Sequence, residues 1–469
     1  MKRTGWGVSS ATWVSFISGS RVVSARRARC GREDGEIAWF DKVRRWAARG
    51  ALLIAATPAA AQLLPSLHGG GLPLPAIGGG LPGQVVTDVR QNLDASRLTD
   101  LRLLRLQDLL RANPRALDTD DRGAPVVRGE VLAISPTPDT LRIAQAAGFT
   151  IARRESLAPL GLEEVVLTPP PDQSARQAVR RLRKLDPQGQ YDFDHIYSPS
   201  GSAQGSGGVG GGVERAPAWT RAGLLDTGFS REDPAFASAS IEQQAFAPGG
   251  VKADPHGTAV ASLMIGASGR FHGAAPGARL YAADVYGSGP TGGSADAIVH
   301  ALAWMASNAV PVINVSLVGP PNLALEAAVR AVTARGEVIV APVGNDGPAA
   351  PPLYPASYAG VIAVTAVDPR GRVIFEAGRA RHVDFAAPGV DMLAAKPGGG
   401  LVAVRGTSFA SPIVAGRLAE LLRTPDPAGA ARALAQLAGQ ARRPEGGEAA
   451  RLGRGIVGED VRLDPRATR

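Results

Sequence analysis

The sequence predicts an α/β protein: a doubly wound, mostly parallel sheet with a small α+β segment in front of it. Two rhythms in the chain and one break between them predict this. From 222 to 367, short apolar runs alternate with apolar stretches of helical length, as expected for strands buried on both faces of a parallel sheet. Over 126–197, strand-like and helix-like runs follow one another in the order β-α-β-β-α-β. Between them, SPSGSAQGSGGVGGGVE (198–214) has the composition of a flexible coil tether.

Each element has its own signal. Leu93, Leu98, Leu101, Leu104, Leu109 and Leu110 recur at a roughly helical period over 88–112. VVRGEVLAI (126–134), 149–154, 162–167 and 190–197 read as strands. Residues 137–147 read as a helix stopped by Gly148, and 174–185 as a second, very basic helix. The order is the ferredoxin-like arrangement. Further on, AGLLD (222–226), ARLYAADVY (278–286), VPVINVSL (310–317), EVIVAPV (337–343) and VIAVTAV (361–367) read as buried strands. Helices are expected after His256, over 293–308 and over 322–335. In such sheets, functional residues gather at the carboxyl ends of the strands.

The 469 residues carry a net charge of +9, which invites a nucleic-acid reading. Its distribution argues against one: residues 1–61 hold eleven Lys/Arg against four Asp/Glu, leaving 40 and 38 for the rest. No basic stripe is interleaved with aromatics, so no nucleic-acid partner is expected. Cys30 is the sole cysteine, which excludes disulfides, thiol catalysis and Cys-ligated zinc beyond the first segment. A basic stretch (44–49) followed by ALLIAATPAAA (51–61) has the pattern of an export signal. Forty-odd residues precede it, so translation is expected to start at Val43; a short buried helix is the alternative. No apolar run reaches the ~18–20 residues of a membrane span. The expected organisation is an extension plus signal (1–61), a Gly/Pro linker and helical segment (62–125), the α+β segment (126–197), the tether (198–214), the large α/β domain (215–460) and a tail (461–469).

Three segments carry chemistry. LLDTG (224–228) delivers Asp226 at the end of an apolar strand. HGTAVAS (256–262) opens a helix of small residues with His256. GTSFASP (406–412) places Ser408 at the start of an apolar helix, with Pro412 in its opening turns. A serine hydroxyl needs a base, and histidine is the natural one near neutral pH. A buried carboxylate fixes the imidazole tautomer and stabilises the imidazolium. Backbone N–H groups at a helix start can hold a developing oxyanion.

The bland readings carry less. Asp-Thr-Gly is also the aspartic-protease motif, but no second copy supplies the paired carboxylate. GSGPTGG (287–293) is not followed by the Lys-Ser/Thr of a phosphate cradle. No Gly-x-Ser-x-Gly surrounds Ser408. Ser411 reads as a packed helix residue. His68, His195, His272, His300 and His382 have no metal-type spacing and read as surface or structural residues.

Together, Asp-Thr-Gly, His-Gly-Thr and Gly-Thr-Ser-x-Ala-Ser-Pro, in that order, resemble the subtilisin (subtilase) family of serine peptidases over roughly 215–460. The resemblance implies an endopeptidase whose triad is Asp226, His256 and Ser408. It implies that Asn345, in PVGND (342–346), is the side-chain oxyanion donor. Ser316, Leu317, Val318 and Gly319 resemble the family's edge strand for extended substrate. Gly287, Ser288 and Gly289 resemble the opposite wall of the cleft. Ala341, Pro342, Val343 and Gly344 are expected to border the pocket for the residue before the scissile bond. GRGIV (453–457) resembles the closing strand. Two departures concern subsite shape: Val318 stands where glycine is common, and Pro342 and Val343 where alanines are.

The resemblance also implies an exported precursor, in the periplasm or the medium, whose segment 126–197 is a propeptide acting as intramolecular inhibitor and chaperone. Polypeptides are the expected substrates and a monomer the expected state. No cofactor is required; calcium stabilises many members, but the sequence assigns no ligands. Two other classes stay open: a peptide-binding protein on a protease fold, and a hydrolase of non-peptide esters or amides.

Overall fold

The computed structural model describes residues 98, 100–207, 215–443 and 451–468. The expected export signal, the 65–83 linker and tether residues 208–214 lie outside the described residues. After a leading helix over 100–112, the N-terminal α+β unit comprises β1 (Leu117–Thr119), β2 (Pro125–Ile134), α1 (Pro138–Ala146), β3 (Thr150–Leu157), β4 (Leu162–Thr168), α2 (Ala175–Leu185) and β5 (Tyr191–His195). Each helix is capped by the residue at which the sequence reading began it. The Thr137 side chain accepts from Thr140 N at the start of α1, and Ser174 and Gln177 form a reciprocal capping box on α2. Strands β5, β2, β4 and β3 pair in that order, all antiparallel, with β1 on the first half of β2.

The two-residue period of β2 and β4 sorts their side chains between two cores. Val131, Ala133, Val165 and Leu167 pack under α1 and α2. Leu132, Ile134 and Val166 join the large core of the following domain.

That domain begins after β6 (Ser198–Pro199) and β7 (Ser202–Gly207). It runs through β8 (Arg221–Asp226), β9 (Ser240–Ala245), α3 (Pro255–Ile265), the short hairpin β10 (Ala267–Ser268) and β11 (Phe271–His272), β12 (Arg279–Asp284), α4 (Ala295–Ser307), β13 (Val312–Val315), β14 (Leu317–Val318), α5 (Leu323–Ala334), β15 (Val338–Pro342), β16 (Val361–Val367), β17 (Phe385–Pro388), β18 (Met392–Ala395), β19 (Leu401–Arg405), α6 (Ser411–Ala419) and α7 (Pro427–Gln440). Seven strands form one parallel sheet in the order β17-β16-β15-β13-β8-β12-β9. Helices α3 and α6 pack together on one face, and α4 with α5 on the other. The chain first builds toward β9 and then toward β17, so the switch point of the sheet lies beside β8, where ligands bind in such folds.

The α+β unit docks its open sheet face on α4 and α5. Two acids of β5 meet the amino ends of those helices: Asp192 accepts from Leu323 N at 2.7 Å, and Asp194 from Asp296 N at 3.0 Å. The positive ends of the helix dipoles favour this. Asn322, which caps α5, also donates to the Phe193 carbonyl at 2.8 Å. Around Asp194 lies a mixed-charge cluster. Arg153 pairs with Asp296, His300 Nε2 lies 2.7 Å from Glu155, and His300 Nδ1 lies 3.4 Å from Glu164.

The structure corrects four expectations. The first part of the tether is no coil: β6 pairs antiparallel with β14, and β7 with β19. Backbone pairing needs no side-chain pattern, and Ser/Gly composition conceals it. Residues 407–409 form a separate 3-10 turn, so Ser408 precedes α6 rather than starting it. The 453–457 run contributes only isolated bridges of Ile456 to Ala386 and Arg442. Strands β9, β17, β18 and β19 and helix α7 escaped the sequence reading; the strands are short or, like SIEQQA, polar.

Burial first, and then the charge of Asp296, push the Glu164 and Asp194 carboxyls well above the usual range; Glu130 moves the same way for the same reasons. Arg153, Glu155 and His300 are the other ionisable groups facing this cluster. The docked state thus binds protons more tightly than the undocked one, so docking weakens as pH rises from the ordinary carboxylate range through the raised values. Hydrogen exchange over α4 in the full-length Ser408→Ala chain should accelerate across that window, and Glu164→Gln should flatten the pH dependence.

Candidate active site

Asp226 ends β8 at the switch point and is fully buried. Its Oδ1 accepts from Thr227 N at 2.6 Å and from His256 Nδ1 at 2.8 Å. His256 is the second residue of α3, whose Asp254 cap accepts the His256 N–H at 2.9 Å. Gly257 lets the helix start press against the Asp226 turn: a Cβ there would lie 2.2 Å from the Thr227 carbonyl oxygen. The His256 ring is nearly buried and leans on Phe409, with centroids 5.5 Å apart.

Burial disfavours the charged His256 ring, but the charge and hydrogen bond of Asp226, with Asp254 and the Ser200 backbone nearby, outweigh it. Its pKa is therefore raised above the ordinary imidazole value. The Asp226 bond occupies Nδ1, so Nε2 is the nitrogen left for proton transfer; it is buried without a hydrogen-bond partner.

Ser408 lies in the 3-10 turn between β19 and α6 and is fully buried. Ser316 donates its hydroxyl to the Ser408 carbonyl at 3.2 Å. Asn345 follows β15 and faces the same turn. Its Oδ1 accepts from Thr407 N at 2.9 Å, which fixes the amide orientation. The Nδ2 is thereby left buried with its donor hydrogens unused. Beside a serine hydroxyl and its own N–H, a free donor of this kind suits a developing oxyanion.

The cleft is occupied by the chain itself. Ser198 and Pro199 lie opposite Val318 and Leu317 as an added antiparallel strand. Ser408 N donates to the Ser200 carbonyl at 3.2 Å, and the two hydroxyls share a short hydrogen bond. Gly287, Ser288 and Gly289 line the other side of the 197–199 run, with Leu109 of the leading helix nearby. Ala341, Pro342, Val343 and Gly344 run from the end of β15 to Asn345, and Gly344 N donates to Thr407 Oγ1 at 3.2 Å. The structure thus assembles Asp226 with His256, and Ser408 with Asn345 and the edge strand, around one stretch of backbone. Ser200 is a site residue the sequence reading missed, since the Ser/Gly composition of its segment marks no contact with the Ser408 turn; Thr407 lies inside the GTSFASP motif but was given no role of its own.

The profile of the Subtilase family matches residues 221–455. The chain belongs to the subtilase family. It is 34% identical over 240 residues to M-protease of Shouchella clausii (strain KSM-K16), covering 50% of this chain and 60% of that protein. It is likewise 34% identical over 232 residues to Subtilisin Savinase of Lederbergia lenta, covering 49% of this chain and 82% of that protein. The match thus spans 60% of the length of one of these relatives and most of the other. Among solved structures, fervidolysin from Fervidobacterium pennivorans, described as a keratinolytic enzyme related to subtilisin, superposes with a TM-score of 0.60 at 20% identity. That match covers 72% of this chain and 61% of that one, and the likeness is one of fold.

Among the described residues, Glu164, Asp296 and His300 bring ligand-type atoms within 4.8 Å of one another, although no sequence spacing announces it. His300 Nδ1 already meets its own helix at the Asp296 carbonyl (2.9 Å), and Nε2 meets Glu155. The group belongs to the docking cluster described above, and no cofactor is assigned to it.

The triad geometry makes a direct prediction about His256. An NMR titration of the full-length Ser408→Ala chain should place its imidazole pKa above the ordinary value, and Asp226→Asn should lower it, because burial then acts with less opposition. An unchanged value in Asp226→Asn would show that the carboxylate is not the cause.

Proposed function

We propose that this subtilase is a serine endopeptidase that hydrolyses peptide bonds through an acyl-enzyme and first cuts its own precursor. The observation that carries the reading is the peptide backbone laid along β14 with its Ser200 carbonyl on Ser408 N–H. Main-chain pairing of this kind favours polypeptides over simple esters as substrates.

In this mechanism Ser408 Oγ forms a bond to the carbonyl carbon while its proton passes to His256 Nε2. Asp226 holds the ring and stabilises the imidazolium. Asn345 Nδ2 and Ser408 N–H hold the oxyanion. The C–N bond then breaks as His256 gives its proton to the leaving amine. Water, deprotonated by His256, releases the acid and restores Ser408. The precursor bond in line for this is Ser200–Gly201. Before attack, the Ser408 hydroxyl must leave Ser200 Oγ for His256 Nε2, a tightening that resting sites commonly await.

On the same reading, the α+β unit is the propeptide: it feeds its carboxyl end through the cleft and inhibits by occupying it. Export is the reading favoured by the 44–61 pattern. Among the described residues, no helix is long and apolar enough to cross a membrane. The expected working state is a monomer without a required cofactor.

Purified wild type should hydrolyse unfolded casein, and both Ser408→Ala and a serine-directed phosphonylating inhibitor should abolish this. Mass spectrometry should find cleavage at Ser200–Gly201 in wild type and an intact chain in Ser408→Ala. Casein hydrolysis surviving in Ser408→Ala would overturn the mechanism, and the same cleavage in both chains would assign processing to another protease. Asn345→Ala should lose about 10²–10³ in kcat, the magnitude known for the corresponding donor in subtilisin itself. Activity should rise with pH through the raised His256 pKa, since only the neutral ring accepts the serine proton.

A further inference from the structure

We propose that this cleft cuts after small residues and rejects large ones, and that Val318 and Leu353 impose the limit; the inference rests on the peptidase reading above. Ser200 is the residue whose carbonyl meets Ser408 N–H, so it stands at the position before the proposed cut, with its hydroxyl turned to Ser408 Oγ. Across the ladder Leu317 faces Pro199 and Val318 faces Ser198, while Gly344 N reaches Thr407 next to Ser408, so β14 and the Val343–Gly344 run flank the approach to Ser200.

The space between these walls is filled. A Cβ added to Gly344 would lie 2.6 Å from Leu353 Cδ1 and 3.7 Å from Val318 Cγ1. Both side chains therefore pack toward the bare Gly344 backbone, and the glycine opens no slot. Val318 is 4% exposed, Leu353 8% and Val343 1%. Leu353 is anchored by its neighbour: Tyr354 exchanges two backbone hydrogen bonds with Gly319, at 2.9 and 3.0 Å, beside Val318. A leucine or phenylalanine side chain entering here would have to displace branched side chains held by a paired backbone. Close-packed sites resist such insertion. Even one methylene in a fitted pocket changes kcat/KM by roughly 10–200-fold.

Three residues upstream the chain seats a ring instead. Tyr197 is 1% exposed, and its ring lies over Gly319, where a Cβ would come within 2.4 Å of it. The Tyr197 N–H donates to the Gly293 carbonyl at 2.8 Å, and its hydroxyl to the Pro320 carbonyl at 2.7 Å. A missing side chain at Gly319 makes room for a ring, and a carbonyl satisfies its hydroxyl. The substrate class is therefore an extended segment with Gly, Ala or Ser at the cut.

The test uses the processed full-length product and internally quenched peptides containing Tyr-Ser-Pro-Xaa-Gly-Ser, with Xaa as Gly, Ala, Ser, Leu or Phe. A phosphonate label on Ser408 reports the competent site in every sample. Ser and Ala are expected to exceed Leu and Phe by at least about tenfold in kcat/KM. Val318→Gly combined with Leu353→Gly should narrow that ratio by a similar factor, and Leu353→Ala alone should narrow it in part. Equal hydrolysis after Phe and Ser by wild type would overturn the inference and leave the peptidase reading intact. An unchanged ratio in variants that still label would remove Val318 and Leu353 as its cause. No hydrolysis of any peptide, with no label on Ser408, would overturn both.

Discussion

Asp226 is the constraint around which the rest of the site is arranged. A fully buried carboxylate at the end of the central strand is costly unless donors surround it. The Thr227 backbone supplies one and the His256 ring another. Meeting that demand brings the start of α3 against the turn after β8, and Gly257 permits the approach. The ring then has a fixed tautomer and a free Nε2 facing the interior. Both donors meet Oδ1, and the bond to Nδ1 leaves Nε2 as the nitrogen for the proposed proton transfer.

A second principle recurs across the molecule: orphan donors at helix starts and turns meet side-chain oxygens. Asp254 serves α3, Asp192 and Asn322 serve α5, and Asp194 serves α4. Asn345 serves the nucleophile turn through Thr407. Of these, Asp192 and Asp194 lie on the N-terminal α+β unit, so backbone groups at the ends of α4 and α5 become a docking surface. The same burial raises the pKa of Glu164 and Asp194 at that surface, which ties docking to pH.

The edge strand joins these features to chemistry. Backbone pairing of 198–199 with 317–318 specifies direction and register for whatever occupies the cleft, while the side chains around it specify size. Glycine at 319 leaves room for the Tyr197 ring, while the branched side chains of Val318 and Leu353 pack toward Gly344. Of these residues, Val318 stands where the family commonly has glycine.

Much of this was legible in the sequence because it is local. The strand ending in Asp226, the helix opening with His256, the Thr137 and Ser174 caps and the β-α-β-β-α-β order each depend on residues a few positions apart, where period and capping chemistry operate. The order of the three motifs identified the family. What the tertiary structure decided is non-local. The contact of Glu164 with Asp296 and His300 and that of Ser200 with Ser408 join residues more than one hundred and about two hundred positions apart, and Leu353 packs back toward Gly344 across an irregular loop. The Ser/Gly run at 198–207 shows the divide most clearly. Its composition signals flexibility, yet its backbone N–H and C=O groups find β14 and β19, since strand pairing uses atoms that every residue shares and the side-chain pattern does not record.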